Sequence, residues 1–514
     1  MQEENTMNYT NPIVSGFNPD PSVCRVGKDF YLVNSTFEYF PGLPIYHSTD
    51  LIHWEQIGHV LTRDSQLKLP LGAPNRLGLY APTIRYHAGK FYCVVTNVGG
   101  NPGGNFYVTT ENIYGEWSEP IFLEFGGIDP SFFFDEDGKC YYSGTDDDGV
   151  FLCEMDCETG KRLGEKQYPW NGTGANNPEG PHVYKINGWY YLMMAEGGTE
   201  LCHMVTIARS RQIFGPYEEC PWNPILTNSR TGLPIKAIGH ADLVNDCNGK
   251  WWAVCLGNRP IAYPFRHTMG RETMLVPVEW KEDWPVMGVD GRVPEEITVE
   301  CFAGETTPDT GRYIPGSDFE DDFKTDKLNL SWSYIYNPVE KLVSVDDKGL
   351  CLHGAAASIS CDDYKSILVR RQEHFDFDAT MYLSFAPGEG EEAGLCIYMS
   401  NKHHYEIALT KLDGEQCLIL RRQIGKLKAI EEKIPYEGTE VVLQLNGRRR
   451  EYNFSYSRDG KEFTLLGGGE SHYLSTEAGG CFTGNVIGLY ASGNGKEAEQ
   501  DAHVTKFTYK AVKK

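Results

Sequence analysis

No apolar run in this 514-residue chain reaches the ~20 residues that a bilayer-crossing helix needs. Its first ten residues, MQEENTMNYT, have neither the basic nor the apolar stretch of a secretory leader, so a cytoplasmic location is the expectation. Positive charge is scarce: 47 Lys and Arg stand against 71 Asp and Glu, a net −24 whose field repels phosphate backbones and anionic membrane surfaces. Neither nucleic acid nor membrane is expected as a partner. Zinc-finger spacing is absent, because Cys153 and Cys157 lie four apart with no second Cys/His pair to match. The cysteine count, fifteen, is odd, and many sit inside apolar runs such as KFYCVVT and WWAVCLG, which reads as buried thiols in place of a disulfide framework.

What the chain does have is turn and strand chemistry. Its 55 Gly, 28 Pro and 30 Tyr, with 40% hydrophobic residues, favour strands and tight turns over helices. The length suits two domains. An acidic surface rich in Tyr and Trp is compatible with a neutral glycan, which is read by hydrogen bonds and ring stacking.

A repeat organises the first 300 residues. Five segments share one form, a small or acidic residue, apolar residues, a polar turn ending in Gly, and an aromatic strand: DPSVCRVGKDFYLVNST, APTIRYHAGKFYCVVTN, DPSFFFDEDGKCYYSGT, EGPHVYKINGWYYLMMA and HADLVNDCNGKWWAVCL. Each is a hairpin, and they recur about every 50 to 60 residues, the length of a four-stranded propeller blade with its loop. Five blades follow, against the alternative of a β-sandwich with irregular hairpins. The leading positions are Asp20, Ala81, Asp129, Glu179 and His240. Inner strands of a propeller run along one axis, so these positions are expected to converge in one pocket.

Asp20 lies in NPDPS between two prolines, which stiffen the approach to a strand and hold the carboxylate in place. A single Asp or Glu before Pro or Gly is ordinary turn chemistry. Three at one repeat position point to carboxylates whose crowding separates acid from base, as glycosidic bond cleavage requires. His240 is either a core imidazole or a contact to substrate or ion, and Arg271 in MGRETM could aim a guanidinium at sugar hydroxyls. Phe37 and Tyr80 sit where they could flank a sugar ring, or pack in the core.

Beyond the fifth hairpin, residues 295 to 317 (EEITVECFAGETTPDTGRYIPGS) lose periodicity, with the linker placed at 301–317 between a propeller at 1–300 and a domain at 318–514. Short alternating runs such as AGLCIYMS and EVVLQLN make that second domain a β-sandwich.

The ordered text NPIVSGFNPDPSVCRVGKDFYLVNSTFEYFPG, GIDPSFFF, PEGPHVYKINGWYYLMMAEGGT, GHADLV and GRETMLVPVEW resembles glycoside hydrolase family 43 nearly end to end, most closely its β-xylosidase and α-L-arabinofuranosidase branch. The resemblance implies an all-β protein, a five-bladed β-propeller followed by a concanavalin-like β-sandwich, and inverting, exo-acting hydrolysis of short oligosaccharides with no required cofactor. It implies Asp20 as general base, Glu179 as general acid and Asp129 as the residue that orients Glu179 and tunes it. Arg271 and Thr199 would contact the sugar, and Phe37 and Tyr80 would line its subsite. Phe482 of CFTGNVIG would reach the rim from the second domain. His240 would support a central water or ion, and some relatives hold calcium there, so a structural calcium near His240 is admitted. Two departures stand out: Tyr80 replaces the Trp that many β-xylosidases of this branch carry before Ala-Pro, and Met274 follows Thr273 where an aromatic is common. Xylose against arabinose, and monomer against homo-oligomer, stay open.

Two other readings compete. Glu219-Cys220-Pro221 resembles the acid motif of retaining fructan and sucrose hydrolases, but it is not at a leading position and no Arg-Asp-Pro accompanies it. A glycan-binding propeller with a lectin-like module would keep the aromatics without needing three matched carboxylates.

Overall fold

The computed structural model describes residues 6–72, 76–300, 311–325 and 327–513. Residues 301–310 of the expected linker lie outside the described residues, as do the first five residues of the chain.

Five inner strands, Ser22–Val26, Thr83–His87, Ile128–Phe134, Glu179–Ile186 and Lys236–Asn245, pack side by side in a closed ring. Each pairs antiparallel with the strand that follows it in the chain. The turns explain why. In the second and fourth hairpins the ladder closes at His87–Lys90 and Ile186–Trp189, leaving Ala88-Gly89 and Asn187-Gly188 as two-residue loops. All four of those residues have positive φ, the geometry whose twist matches that of the flanking strands.

The first, fourth and fifth blades are four-stranded sheets. The second gains a short fifth strand, Gly78–Leu79, and the third stops at three strands. In that third blade the place of a fourth strand is taken only by the isolated bridges Leu152–Gln167 and Met155–Arg162. The repeat expectation of four strands per blade therefore overstates the third and understates the second. The ring is closed by the N-terminal segment: Asn11 exchanges side-chain hydrogen bonds with the backbone of Leu275 in the fifth blade, and Thr6–Thr10 pairs with Glu296–Glu300.

One buried ion pair joins all five inner strands. Asp242, fully buried in the fifth blade, accepts two hydrogen bonds from Arg85 of the second, at 2.7 and 3.1 Å. It also accepts from Ser22 Oγ of the first blade (2.7 Å) and Tyr184 OH of the fourth (2.7 Å). Arg85 Nη2 donates to His182 Nδ1 at 3.1 Å, and Ser131 Oγ of the third blade lies 2.9 Å from the same nitrogen. An arginine can only donate, so His182 Nδ1 is an acceptor, and burial holds that imidazole's pKa down at about 3.

The C-terminal region is a two-sheet sandwich over a continuous apolar core that includes Leu395, Leu443, Ile487 and Phe507. One sheet ends on a strand that is not its own: Tyr39–Phe40, from the loop after the propeller's second strand, pairs with Ser333–Ile335. This addition covers an edge that would otherwise expose unpaired backbone groups. The described part of the expected linker is also packed down, with Tyr313 O accepting from Gln56 N at 2.8 Å. No disulfide forms among the described cysteines, most of which are buried.

Replacing Asp242 by Asn should leave the Arg85 guanidinium buried without a counter-charge, and about 3 kcal/mol of stability should be lost in urea unfolding. A loss below about 1 kcal/mol would show that the clasp does not hold the blades.

Candidate active site

Four of the five inner strands begin on a device that aims the leading residue. Asp20, Asp129 and His240 have φ of 51°, 54° and 49°, the left-handed region that residues other than glycine rarely occupy, and Gly180 has φ 60°. In the third, fourth and fifth blades the ladder slips at this point, between Ile128 and Ser131, Glu179 and His182, and Gly239 and Asp242. Such a bulge bends the strand and re-aims a side chain. The paired residue two further on is Ser22, Thr83, Ser131, His182 and Asp242 in turn.

The register corrects one expectation. Counting back from those residues, the equivalent positions are Asp20, Ala81, Asp129, Gly180 and His240. Glu179 stands one residue earlier than the others. Gly180 takes the left-handed place because nothing larger fits: a Cβ there would meet the His240 ring at 2.9 Å. The repeat position thus carries two carboxylates and a histidine, with the third carboxylate entering from the neighbouring residue.

Asp20 is 4% exposed and held at both oxygens. Arg271 Nη1 donates to Oδ1 at 2.6 Å and Ser35 Oγ donates to Oδ2, which fixes the plane of the carboxylate and leaves lone pairs for a water. Asp129 Oδ2 accepts from Gly180 N at 3.0 Å, so the backbone beside Glu179 is tied to Asp129. Burial pushes the Asp129 carboxyl up to about 7; His240 opposes this, while the negative charges of Glu179 and Asp20 add to it. Glu179 Oε1 lies 3.3 Å from His203 Nε2. Burial pushes Glu179 up, but His203, His240 and Arg271 together hold it below the ordinary range as long as His203 turns a proton toward it. The pair therefore keeps one proton near neutral pH beside a carboxylate clamped elsewhere in the same pocket, the elements of acid–base chemistry.

The aromatic wall comes from both domains. Phe37 and Tyr80 of the propeller lie 5.1 Å apart between ring centres, and Phe482 of the sandwich lies 5.8 Å from Phe37 and 6.2 Å from Tyr80. The Arg271 guanidinium sits against the rings of Phe37 and Phe482 and donates to the Phe482 carbonyl at 3.4 Å. Arg271 is thus committed to Asp20 and the domain junction, and only its Nε is buried without a partner. The junction continues alongside, where Asn485 N donates to Thr268 O at 2.8 Å and His267 Nδ1 meets Glu477 Oε1 at 2.6 Å. Thr199 is on the loop leaving the strand that pairs with Glu179, and its Oγ1 is buried with no partner.

Sequence reasoning missed His203, Ser35, Arg85 and Asp242. Asp242 is two residues from His240 and could have been found by asking which inner-strand charges face the axis; Ser35 closes the first repeat with nothing to mark it, and His203 lies outside the repeat. No group of three metal-ligand side chains among the described residues includes His240, and calcium takes six to eight oxygens. The carboxylate two residues along its strand, Asp242, is already saturated by Arg85, Ser22 and Tyr184. Among the described residues the one cluster with metal-ligand donors lies elsewhere, at Asp346, Cys351 and His503 on the sandwich. Glu219 of the fructanase-like triplet lies on the short outermost strand of the fourth blade, Glu218–Glu219, and accepts from Trp170 Nε1 at 3.1 Å.

A five-bladed propeller with carboxylates gathered at one end and an aromatic lid from a concanavalin-like domain defines a class of glycoside hydrolase. Residues 9–285 match glycosyl hydrolases family 43, and residues 320–510 match the beta xylosidase C-terminal concanavalin A-like domain. The chain belongs to glycosyl hydrolases family 43. It is 41% identical to a non-reducing end alpha-L-arabinofuranosidase of Bacteroides ovatus, over 98% of this chain and 95% of that one. It is 38% identical to a xylosidase/arabinosidase of Butyrivibrio fibrisolvens, over 98% and 99%. Among solved structures, the Bacteroides ovatus xyloglucan PUL GH43B protein superposes with a TM-score of 0.92 at 40% identity, covering 98% of this chain and 100% of that chain.

The Asp129 carboxyl binds its proton more tightly folded than unfolded, where its ordinary value is 3.8. What this group contributes to stability is full below about pH 4, falls as pH rises, and is lost above about 7. Asp129→Asn has no charge to bury, so it should be more stable than wild type at pH 8, by up to about 4 kcal/mol, and no more stable at pH 4. Thermal melts across that range check the sign.

Proposed function

We propose that the protein is an inverting, exo-acting glycoside hydrolase that releases xylose, arabinose or both from short xylan- or arabinoxylan-derived oligosaccharides. Asp20 is the general base, drawing a proton from the attacking water. Glu179 is the general acid, protonating the leaving oxygen. Asp129 orients Glu179 through Gly180 N and shares its proton. The observation that carries this reading is the pairing of a clamped carboxylate, Asp20, with two neighbouring buried carboxyls, one of which burial holds protonated toward neutral pH. Inversion in one step needs acid and base about 6.5 to 9.5 Å apart, so that water fits between them.

Phe37, Tyr80 and Phe482 wall the subsite, and Thr199 Oγ1 offers a donor and acceptor to the ring hydroxyls. A wall completed by the second domain supports action on chain ends. No cofactor takes part in the scheme. Between the two sugars, β-xylosidase is the first reading, from the motifs of the propeller. The second, α-L-arabinofuranosidase, is favoured by Tyr80 in place of Trp, which reshapes the stacking wall for a smaller furanose ring, and by the 41% identical relative of that name.

The test is kcat/KM on aryl β-D-xylopyranoside and aryl α-L-arabinofuranoside side by side, with Asp20→Ala as the blank. Tenfold preference for the xyloside, about 1.4 kcal/mol of transition-state discrimination, is the expected result. Preference for the arabinofuranoside makes debranching the main activity, and no Asp20-dependent turnover of either overturns the proposal.

A further inference from the structure

His203 has no place in the scheme so far, although it is fully buried and its ring lies against the acid. It precedes the strand Met204–Ser210, and its imidazole is wedged against the backbone of the fifth blade. A Cβ at Gly239 would lie 2.3 to 2.5 Å from three of its ring atoms, so only glycine admits the ring there. Packing this tight leaves the imidazole no room to turn over.

The fixed orientation decides where its proton is. Nδ1 lies 3.2 Å from the Ala237 carbonyl oxygen. A carbonyl can only accept, so Nδ1 carries the hydrogen, and in the neutral ring Nε2 is then a lone pair. That lone pair is buried and lies 3.3 Å from Glu179 Oε1, with no other hydrogen-bond partner. The group that completes the contact is a carboxylic acid.

We infer that His203 is a positioning residue that accepts a hydrogen bond from Glu179 when Glu179 carries the pair's proton, and so draws that proton from Asp129 to Glu179 for the chemical step. This deepens the function proposed above and rests on Glu179 being the acid. The charges that face Glu179, besides His203, come from three other blades: Asp20 from the first, Asp129 from the third, His240 and Arg271 from the fifth. Among these groups, Asp129 is tied to Gly180 N and Arg271 to Asp20, which leaves His203 within hydrogen-bond reach of the Glu179 carboxyl. After Glu179 gives its proton to the leaving oxygen, the Nε2 lone pair faces a carboxylate oxygen, which favours taking a proton back from water and re-arms the site.

The test uses two substitutions and two leaving groups. Asn at 203 reproduces the Nδ1 donor to Ala237 but offers nothing at Nε2, whereas Gln reaches the Nε2 position. With His203→Asn the basic limb of the pH profile of kcat/KM should move to lower pH by about half a unit or more. Turnover of a 4-methylumbelliferyl glycoside should fall about tenfold, while the 2,4-dinitrophenyl glycoside, which needs little acid help, changes less than about threefold. His203→Gln should recover part of the loss. A basic limb that moves to higher pH would show that His203 donates, and equal losses on both leaving groups would show a packing role; either overturns the inference. In wild-type protein the ¹⁵N shifts of the His203 ring should report the proton on Nδ1, and a proton on Nε2 also overturns it, independent of how the variants fold. Glu179→Gln is assayed in parallel: if it turns over the 4-methylumbelliferyl glycoside like wild type, the acid assignment itself fails, which is distinct from the failure of the His203 role.

Discussion

The Arg85–Asp242 pair is the constraint on which the site depends. The inner strands of neighbouring blades belong to separate sheets, and what fixes their angles at the axis is side-chain contact between them. Here one carboxylate gathers donors from the first, second and fourth blades, and the guanidinium passes the network through His182 to Ser131 of the third. Buried ion pairs earn little net stability over apolar packing, but they are costly to break and specify one geometry. The residues so fixed stand two positions from Asp20, Asp129 and His240 along the same strands. The charge at the axis therefore sets where the carboxylates of the pocket sit.

Strain is concentrated at the same level. Asp20, Asp129 and His240 hold left-handed backbone that costs each about 1 kcal/mol or more, and bulges accompany the last two. The repeat, the five blades and the three carboxylates were legible in the sequence, because hairpin turns and inner strands leave a local pattern. The one-residue offset of Glu179 was not. DPS, EGP and HAD look alike in text, and only the ladder shows that Gly180, not Glu179, matches Asp129. The missing fourth strand of the third blade escaped for a similar reason, since its bridges at Gln167 and Arg162 follow no strand pattern.

The second domain closes the site through contacts that no local pattern encodes. Phe482 was expected at the rim from resemblance, and its ring does lie with Phe37 and Tyr80. That Tyr39–Phe40 would leave the propeller to edge a sandwich sheet, and that Arg271 would tie Asp20 to the Phe482 carbonyl, depend on residues some 200 to 300 positions apart. Arg271 consequently does more than line the pocket: the same guanidinium orients Asp20 and holds Phe482. His203 is the clearest case of a residue invisible in the sequence, its role arising only from a backbone carbonyl at position 237 and a glycine at 239.

The central claim is that Asp20 and Glu179 act on opposite faces of one sugar, in a single displacement. Proton NMR of the reaction in its first minutes, before mutarotation, reads this directly. The account predicts that the first anomer released has the configuration opposite to that of the bond cleaved, α-xylose from a β-xyloside; first release of the β-anomer would contradict it.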